Sequence, residues 1–434
     1  MTLPVEALEV PAVDRTYSRV ASMRKYSELQ VCRVCGGAHL MEVLDLGFQA
    51  LTGVFPRSAS HDVTQSPLQL VWCSDCHLIQ LRHSCDPAEM YGATYGYRSG
   101  LNQSMVDHLT RAAHELERII EPRAGDVVLD IGSNDATLLK AYSTASLRRI
   151  GIDPTGEKFK AHYPGDIRLV PEFFSAAAYR KAERRPARIV TSFAMFYDLE
   201  APIEFARHIA EVLADDGLWQ FEQSYMPAML RTNSYDTICH EHLEYYSLSV
   251  VDRILDAADM RVIDVVTNTI NGGSFKVTAA KRSNRAMKAN RPLIDWLLEQ
   301  EERMGLKTPR PYRDFEERVF RHRQDLVRLL RAVTADGKTV LGYGASTKGN
   351  VLLQFCGLSS NEIKAIAEVN PEKFGCVTPG TAIPIVSEAE AHAMQPDYFL
   401  VLPWHFRDGI IRRENDYLNR GGKLIFPMPE IEIV

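Results

Sequence analysis

The stretch VVLDIGSNDATLL, residues 127–139, decides the fold. An apolar run predicts a buried strand, Gly132 lets the chain turn sharply at its end, and TLL opens a helix. RRIGIDP (148–154), ARIVTSFAM (187–195) and GLWQFEQSY (217–225) repeat the pattern downstream as apolar runs bounded by turn residues. Between the last two, IEFARHIAEVL (203–213) spaces its apolar residues as a helix does. MRVIDVV (260–266) and GSFKVTAAK (273–281) read as an antiparallel pair that closes the sheet. Strands alternating with helices predict an α/β fold, with a mostly parallel sheet and one reversed strand near its end.

The same stretch suggests a cofactor. Asp130 and Gly132 end the first strand, and Asp153 ends the next, about 20 residues on, where a ribose-binding carboxylate is expected. A dinucleotide loop would carry three glycines as GxGxxG, and here Ala136 stands where a second would fall. The spacing fits S-adenosylmethionine, whose amino-acid portion needs close backbone approach. Ser133 and Asn134 lie in the loop, Phe174 is placed to flank the adenine, and Ser192 and Phe193 follow the fourth strand.

Outward from this core, the 434 residues suffice for two to four domains of about 100–200 residues each. Apolar residues make up 45% and charged residues 24%, as in ordinary globular proteins. With a net charge of −6 and no basic stripe, the chain is not expected to bind nucleic acid. No apolar run reaches the roughly 18 residues of a membrane span, and MTLPVEALEV lacks the features of a secretory signal. A cytoplasmic, monomeric enzyme is the expectation. We divide the chain into a leader (1–28), a cysteine-bearing domain (29–92), the α/β domain (93–285) and a C-terminal domain (286–434). The last begins with a helical stretch in which Phe315, Val319, Phe320, Leu326, Leu330 and Val333 form one stripe. KTVLGYGAS (338–346) then opens a second, smaller Rossmann-like unit, with IKAIAEV, YFLVLP and KLIFP as further strands.

Cys32, Cys35, Cys73 and Cys76 form two CxxC pairs. Four thiolates so arranged suit tetrahedral zinc, and a closed sulfur shell makes the metal structural. His39 and His77 lie nearby and are read as surface residues.

YDTICHEHLEYYS (235–247) is the acid–base candidate, with His240, Glu241, His242, Glu244, Tyr235, Tyr245 and Tyr246 close together just past a sheet strand. Histidine suits proton abstraction beside a ketone, and a neighbouring carboxylate can orient it. Two histidines two apart point in different directions, which argues against one shared metal. Tyr91, Tyr95 and Tyr97 in MYGATYGYRSG could cover a sugar or pack a domain seam. The turn GYGASTKGN (342–350) offers backbone amides, Ser346, Thr347, Lys348 and Asn350 to an anion such as a diphosphate. Asn271-Gly272-Gly273-Ser274 is a second small-residue turn. The C-terminal turn could instead take a nicotinamide dinucleotide, with Glu368 on a ribose hydroxyl. Trp404 and His405 are placed to meet a base.

The four cysteines, MYGATYGYRSG, LDIGSND, CHEHLEYYSL, NGGSFKV, GYGASTKGN and VNPEKFGCVTPGTAIPI occur in this order from about residue 30 to the C-terminus. The ordered set resembles the deoxysugar C-3 methyltransferases of antibiotic pathways, of the tetronitrose and mycarose type. The resemblance implies a zinc domain, a central class I S-adenosylmethionine methyltransferase domain and a C-terminal Rossmann-like domain that binds the sugar nucleotide. It implies a dTDP-linked 4-keto-deoxysugar between the last two. His242 would remove the C3 proton with Glu241 beside it, the C4 oxygen would carry the enolate charge, and Tyr95 or Tyr97 would cover the sugar. Where the family commonly has YHEH, this chain has Cys239 and so lacks a hydroxyl donor. Some relatives also reduce the 4-ketone with NADPH, which leaves an added ketoreductase activity as the alternative.

Overall fold

A computed structural model describes Val13 and residues 25–58, 63–91 and 96–434. Tyr95 lies outside the described residues. None of the described helices is long and apolar enough to cross a membrane.

The first unit is built from β1 (Tyr26–Glu28), β2 (Leu40–Ala50), β3 (Gln65–Cys73), β4 (Ile79–Leu81) and β5 (His83–Cys85). β2, β3 and β4 form an antiparallel meander, and β1 pairs with β5. Residues 26–28 therefore join this unit rather than the leader to which the sequence assigned them.

The central sheet uses β6 (Val127–Ile131), β7 (Arg148–Ile152), β8 (Ile167–Val170), β9 (Ala187–Phe193) and β10 (Leu213–Ser224). β11 (Glu244–Tyr245) leaves that sheet, and β12 (Met260–Asn268) and β13 (Ser274–Lys281) return to it. The order is β12-β13-β10-β9-β6-β7-β8. The strands from β8 to β10 run parallel, and β13 is antiparallel to both of its neighbours. This is the class I methyltransferase order expected from the sequence. Helices flank it because parallel strands bury both faces and need apolar cover. In the helix Gln103–Ile120, Leu109, Ala112, Ala113, Leu116 and Ile120 supply one such face, and the Asn102 side chain caps the start by accepting from Ser104 N.

The C-terminal sheet runs β16 (Ile385–Ser387), β15 (Ile366–Glu368), β14 (Val340–Tyr343), β17 (Tyr398–Val401) and β18 (Lys423–Phe426), all parallel, with β19 (Glu432–Ile433) antiparallel at the edge. A side chain at Gly342 would begin 2.3 Å from Ile366 Cδ1, so the glycine makes room for the Ile366 side chain of β15. The helix Arg310–Ala335 presents the expected stripe, with Phe315, Val319, Leu326 and Leu330 buried and Phe320 and Val333 packed at its margin.

The first unit is wedged between the two α/β units. Val43, Leu44, Leu70 and Trp72 share a core with Phe315, Leu326 and Leu353, whereas Cys32, Val34 and Leu78 share one with the central sheet. β11 joins the two by adding to β4, so the sheet reads β11-β4-β3-β2.

The helix Arg291–Arg303 begins the block read as C-terminal, yet it buries Ile294 and Leu297 in the central core. Its Glu301 is buried and accepts from Tyr225 Oη at 2.8 Å, Leu248 N at 2.5 Å and Ser249 N at 3.0 Å. The two amides begin the helix Leu248–Ala257, so the carboxylate sits at the positive end of a helix dipole. Glu301→Ala should destabilise the protein by roughly 2–3 kcal/mol, because it strands two buried donors, Tyr225 Oη and Leu248 N, and removes the acceptor of Ser249 N. Chemical denaturation measures this, and a loss under 1 kcal/mol would contradict it.

Candidate active site

The C-terminal ends of β6, β7 and β9 meet at the loop read as a cofactor site. Gly132 has φ +71, and a Cβ there would lie 3.1 Å from Met195 Cγ, so glycine is required on both counts. Asn134 N donates to Asp153 Oδ2 at 2.7 Å. Asp153 Oδ1 accepts from Thr155 N and Oγ1, both at 2.6 Å, so the lone pair left on Oδ2 is the one available to a ribose hydroxyl. The buried Asp130 accepts from Thr191 Oγ1 at 2.6 Å, and desolvation pushes its carboxyl up to about 7. Ser133 shares a hydrogen bond with Tyr163 Oη at 2.8 Å. Asn134 also donates to the Tyr97 carbonyl at 3.2 Å and accepts from Ser99 N at 3.0 Å, which ties the loop to the aromatic segment. The Tyr97 ring is half exposed.

One expectation needs correction. The Ser192 hydroxyl is fully buried and accepts from Trp219 Nε1 at 3.0 Å, so it serves the core, and Thr191 is the residue that reaches Asp130. Phe174 packs edge-on against Phe205 at 5.2 Å, toward the helix Pro202–Val212. Phe193 lies beside His108, with ring centroids 6.3 Å apart. His108 Nε2 is 2.6 Å from Glu222 Oε1, and Asn268 Nδ2 donates to Glu222 Oε2 at 2.7 Å. No local pattern marks this trio, because its members come from one helix and two strands.

The CHEH segment separates its two histidines. His240 is buried, with Nε2 3.1 Å from the Ser66 carbonyl, and desolvation pushes it down to about 4. His242 turns the other way, and its Nδ1 lies 2.9 Å from the Thr237 carbonyl. A carbonyl only accepts, so Nδ1 carries the proton and Nε2 keeps its lone pair. The His242 ring lies 4.1 Å from that of Tyr197. Burial and the charge of Lys348 push its imidazole down to about 3, so it is neutral at rest. Glu241 does not orient His242. Its carboxyl faces the first unit, where Thr52 Oγ1 donates to it at 3.5 Å and a Cβ on Gly53 would meet it at 2.3 Å. Burial raises its pKa. Tyr91 Oη donates to the Glu241 carbonyl at 3.5 Å. Tyr235 and Tyr246 are core residues, whereas Tyr245 Oη reaches the same Thr237 carbonyl at 3.4 Å.

The C-terminal turn meets this segment across the seam. Lys348 Nζ donates to the Asn271 carbonyl at 2.7 Å, and Trp404 Nε1 donates to Asp236 Oδ2 at 2.8 Å. Asn350 donates to the Thr52 carbonyl at 2.7 Å, and a Cβ on Gly272 would touch the Trp404 ring at 3.0 Å. Thr347 Oγ1 lies 3.8 Å from where a Gly53 Cβ would stand. Ser346 caps its own helix by accepting from Gly349 N at 3.0 Å, and Ser274 Oγ donates to the Ile270 carbonyl at 2.9 Å. Glu368 accepts from the amides of Ala345, Val369 and Asn370 at 2.7–2.9 Å, so it clamps the turn instead of waiting for a ribose.

In the first unit the four sulfurs lie within 4.8 Å of one another, with Cys32–Cys76 and Cys35–Cys73 each at 3.5 Å. Zinc–sulfur bonds of about 2.3 Å place sulfurs about 3.8 Å apart in a tetrahedron, which this cluster fits. Gly37 N donates to Cys35 Sγ at 3.4 Å, and a Cβ on Gly37 would collide with Asp75. His39 pairs with the Asp75 carboxylate and His77 stacks on Trp72, so neither is a ligand. Between Cys32 and Cys35, the buried Arg33 side chain donates to the Leu81 carbonyl at 2.6 Å and to Glu200 at 3.0 Å, and it lies 3.8 Å from Glu244. Zinc thus secures the knuckle that holds β4 and, through it, β11. Cys76→Ala should abolish bound zinc, open residues 29–91 to protease and stop methyl transfer, while the separate cofactor loop still binds S-adenosylhomocysteine. Full activity in zinc-free protein would contradict this.

Comparison with known proteins agrees with this construction. Residues 32–91 match a zinc binding domain, 102–265 a methyltransferase domain and 269–429 a C-methyltransferase C-terminal domain. The chain is 34% identical over 407 residues to C-methyltransferase NovU of Streptomyces niveus, covering 93% of this chain and 96% of that protein. Among solved structures, magnesium protoporphyrin IX methyltransferase of Synechocystis PCC 6803 aligns at 12% identity, 41% of this chain, 79% of that one and TM-score 0.31. The CcbJ methyltransferase of Streptomyces caelestis aligns at 11%, 40%, 89% and 0.31. The structural scores add nothing to the assignment, which rests on the full-length relative and the three ordered domains. The chain belongs to the family of S-adenosylmethionine-dependent C-methyltransferases that carry an N-terminal zinc domain.

Proposed function

We propose that the enzyme methylates C3 of a dTDP-linked 4-keto-deoxysugar in antibiotic deoxysugar biosynthesis. One observation carries this reading: His242 stands at the seam of the two α/β units, with Nδ1–H fixed on the Thr237 carbonyl and Nε2 left as a base. The order of sequence motifs supports the sugar nucleotide as acceptor. So do the polar groups that line the seam from both sides, namely Lys348, Asp236, Trp404 and His405.

The chemistry needs a carbon acid, because carbon does not accept a methyl group until it holds an electron pair. A ketone at C4 acidifies the adjoining C–H bonds. His242 Nε2 takes the C3 proton, the C4 oxygen takes the charge, and the enolate carbon accepts the methyl group. S-adenosylmethionine, held by the Asp130–Asp153 loop, supplies that methyl on a positively charged sulfur. Tyr97, together with Tyr95, covers the sugar in this reading. Asn271 and Thr347 line the seam beside the sugar nucleotide in this reading, whereas Ser274, Ser346 and Asn350 brace the turns around it. An added reduction of the ketone with NADPH finds less support, because the Glu368 carboxylate expected to hold a ribose is occupied by backbone amides.

The test uses labelled methyl donor, a panel of dTDP-4-keto sugars, and NMR location of the new carbon. His242→Asn should lower both C3–H exchange with solvent and methyl transfer about 10²–10⁴-fold while sparing cofactor binding. Unchanged turnover in that variant removes the base, and a methyl found on oxygen, nitrogen or C5 removes the C3 assignment. Because His242 is depressed to about 3 and acts in its neutral form, the rate of C3–H exchange without S-adenosylmethionine, which does not depend on the Asp130 carboxyl near 7, should stay level from pH 8 to pH 5. A fall centred near pH 6.5 would contradict this.

A further inference from the structure

Lys348 lies in the turn that the sequence reading assigned to a diphosphate, yet its surroundings fit that task poorly. Two of the turn's amides are already engaged: Ala345 N donates to the Glu368 carboxylate and Gly349 N to Ser346 Oγ. A diphosphate placed there would face a carboxylate. The Lys348 amine instead reaches over the seam to the Asn271 carbonyl of the central unit at 2.7 Å. Its charge acts on three groups gathered there: it depresses His242 and His405 and opposes the rise of Asp236.

Those groups are unusually undersatisfied. Asp236 is 1% exposed and has one oxygen on Trp404 Nε1, while Oδ1 has no well-formed hydrogen bond among the described residues. Thr237 Oγ1 and His405 Nδ1 are buried and likewise unpartnered among the described residues. Buried polar atoms without partners are costly, so such a convergence beside a base marks a place where a polar ligand completes the set. A fixed cation beside a histidine weakens it as a base. That arrangement is productive only if the cation gains more from the charge that appears on the substrate. Cys239 sharpens the need, because it is fully buried and offers no hydroxyl donor to the ketone oxygen.

We propose that Lys348 is a catalytic residue that holds the ketone oxygen of the substrate and carries the enolate charge, in place of a phosphate contact. This deepens the substrate reading above and rests on it. As the C3–H bond breaks, its proton goes to His242 Nε2 and its electron pair enters the C3–C4 bond. The carbonyl π pair moves onto the C4 oxygen beside the ammonium. As C3 bonds to the methyl group, the methyl–sulfur bond would break with its pair left on sulfur, giving S-adenosylhomocysteine; the carbonyl reforms, His242 passes its proton to solvent, and Lys348 is released unchanged.

The experiment follows C3–H exchange in D₂O and methyl transfer for wild type, Lys348→Met and Lys348→Arg, with dTDP-4-keto-6-deoxyglucose as probe and calorimetric binding of the same compound. Lys348→Met should lose about 10²–10³ in exchange and methylation at saturating sugar, as expected for one charge-stabilising donor. Its affinity for the sugar nucleotide should stay close to wild type, and Lys348→Arg should recover part of the rate. A Lys348→Met protein with weakened sugar-nucleotide binding but wild-type exchange at saturation would return the lysine to a phosphate role and overturn the proposal. Loss of S-adenosylhomocysteine binding in Lys348→Met marks misfolding, and Lys348→Arg then decides alone: intact binding with a reduced saturated rate supports the proposal, and an unchanged rate with weaker sugar-nucleotide binding overturns it. Wild type that neither exchanges nor methylates the probe overturns the substrate reading, and this assignment with it.

Discussion

The Thr237 carbonyl fixes one proton, and the site depends on it. By accepting from His242 Nδ1, it leaves Nε2 as the lone-pair nitrogen and sets the plane of the ring. An imidazole free to exchange tautomers would spend part of its time with a proton where the base must be. Tyr245 Oη approaches the same carbonyl at 3.4 Å, and Tyr245 belongs to β11. The tautomer of the base is therefore tied to a two-residue strand that has no place in the methyltransferase sheet.

That strand explains why a catalytic chain carries a zinc unit. A two-residue strand has little stability of its own, and it exists because β4 offers it an edge. β4 in turn is held by Arg33, whose backbone lies between two of the four cysteines. The path from metal to base is short and made of named bonds: sulfur knuckle, Arg33, Leu81, β11, Thr237, His242. A larger hydrophobic core could serve the same purpose, but the first unit is small and shares its apolar residues with both neighbours. A closed metal site gives rigidity that so few residues could not otherwise supply.

Much of this was legible in the residues. Short apolar runs followed by turns marked the central sheet, and two CxxC pairs marked the metal. The two histidines of CHEH part because the chain turns between them, with His242 N donating to the Cys239 carbonyl, and the structure sends His240 to Ser66 and His242 to Thr237. What the sequence hid was direction. Ser192 and Thr191 are adjacent, and alternation along β9 alone decides which of them reaches Asp130. Glu241 sits next to His242 in the chain, yet it lies in the turn that His242 N closes on the Cys239 carbonyl, and its carboxyl goes to Thr52. The His108–Glu222–Asn268 trio and the Asp236–Trp404 pair draw on residues far apart in sequence, so no local pattern could expose them. Glu368 had the right place for a ribose contact, and the tight turn after β15 claimed it instead.

Nitrogen-15 NMR of the histidine-labelled enzyme at neutral pH, assigned by comparison with the His242→Asn variant, tests the central claim most directly. The expected spectrum shows one neutral imidazole whose Nδ1 bears the proton and whose Nε2 is unprotonated, unchanged between pH 8 and pH 5. A His242 ring protonated on Nε2, or charged on both nitrogens in that range, would contradict it.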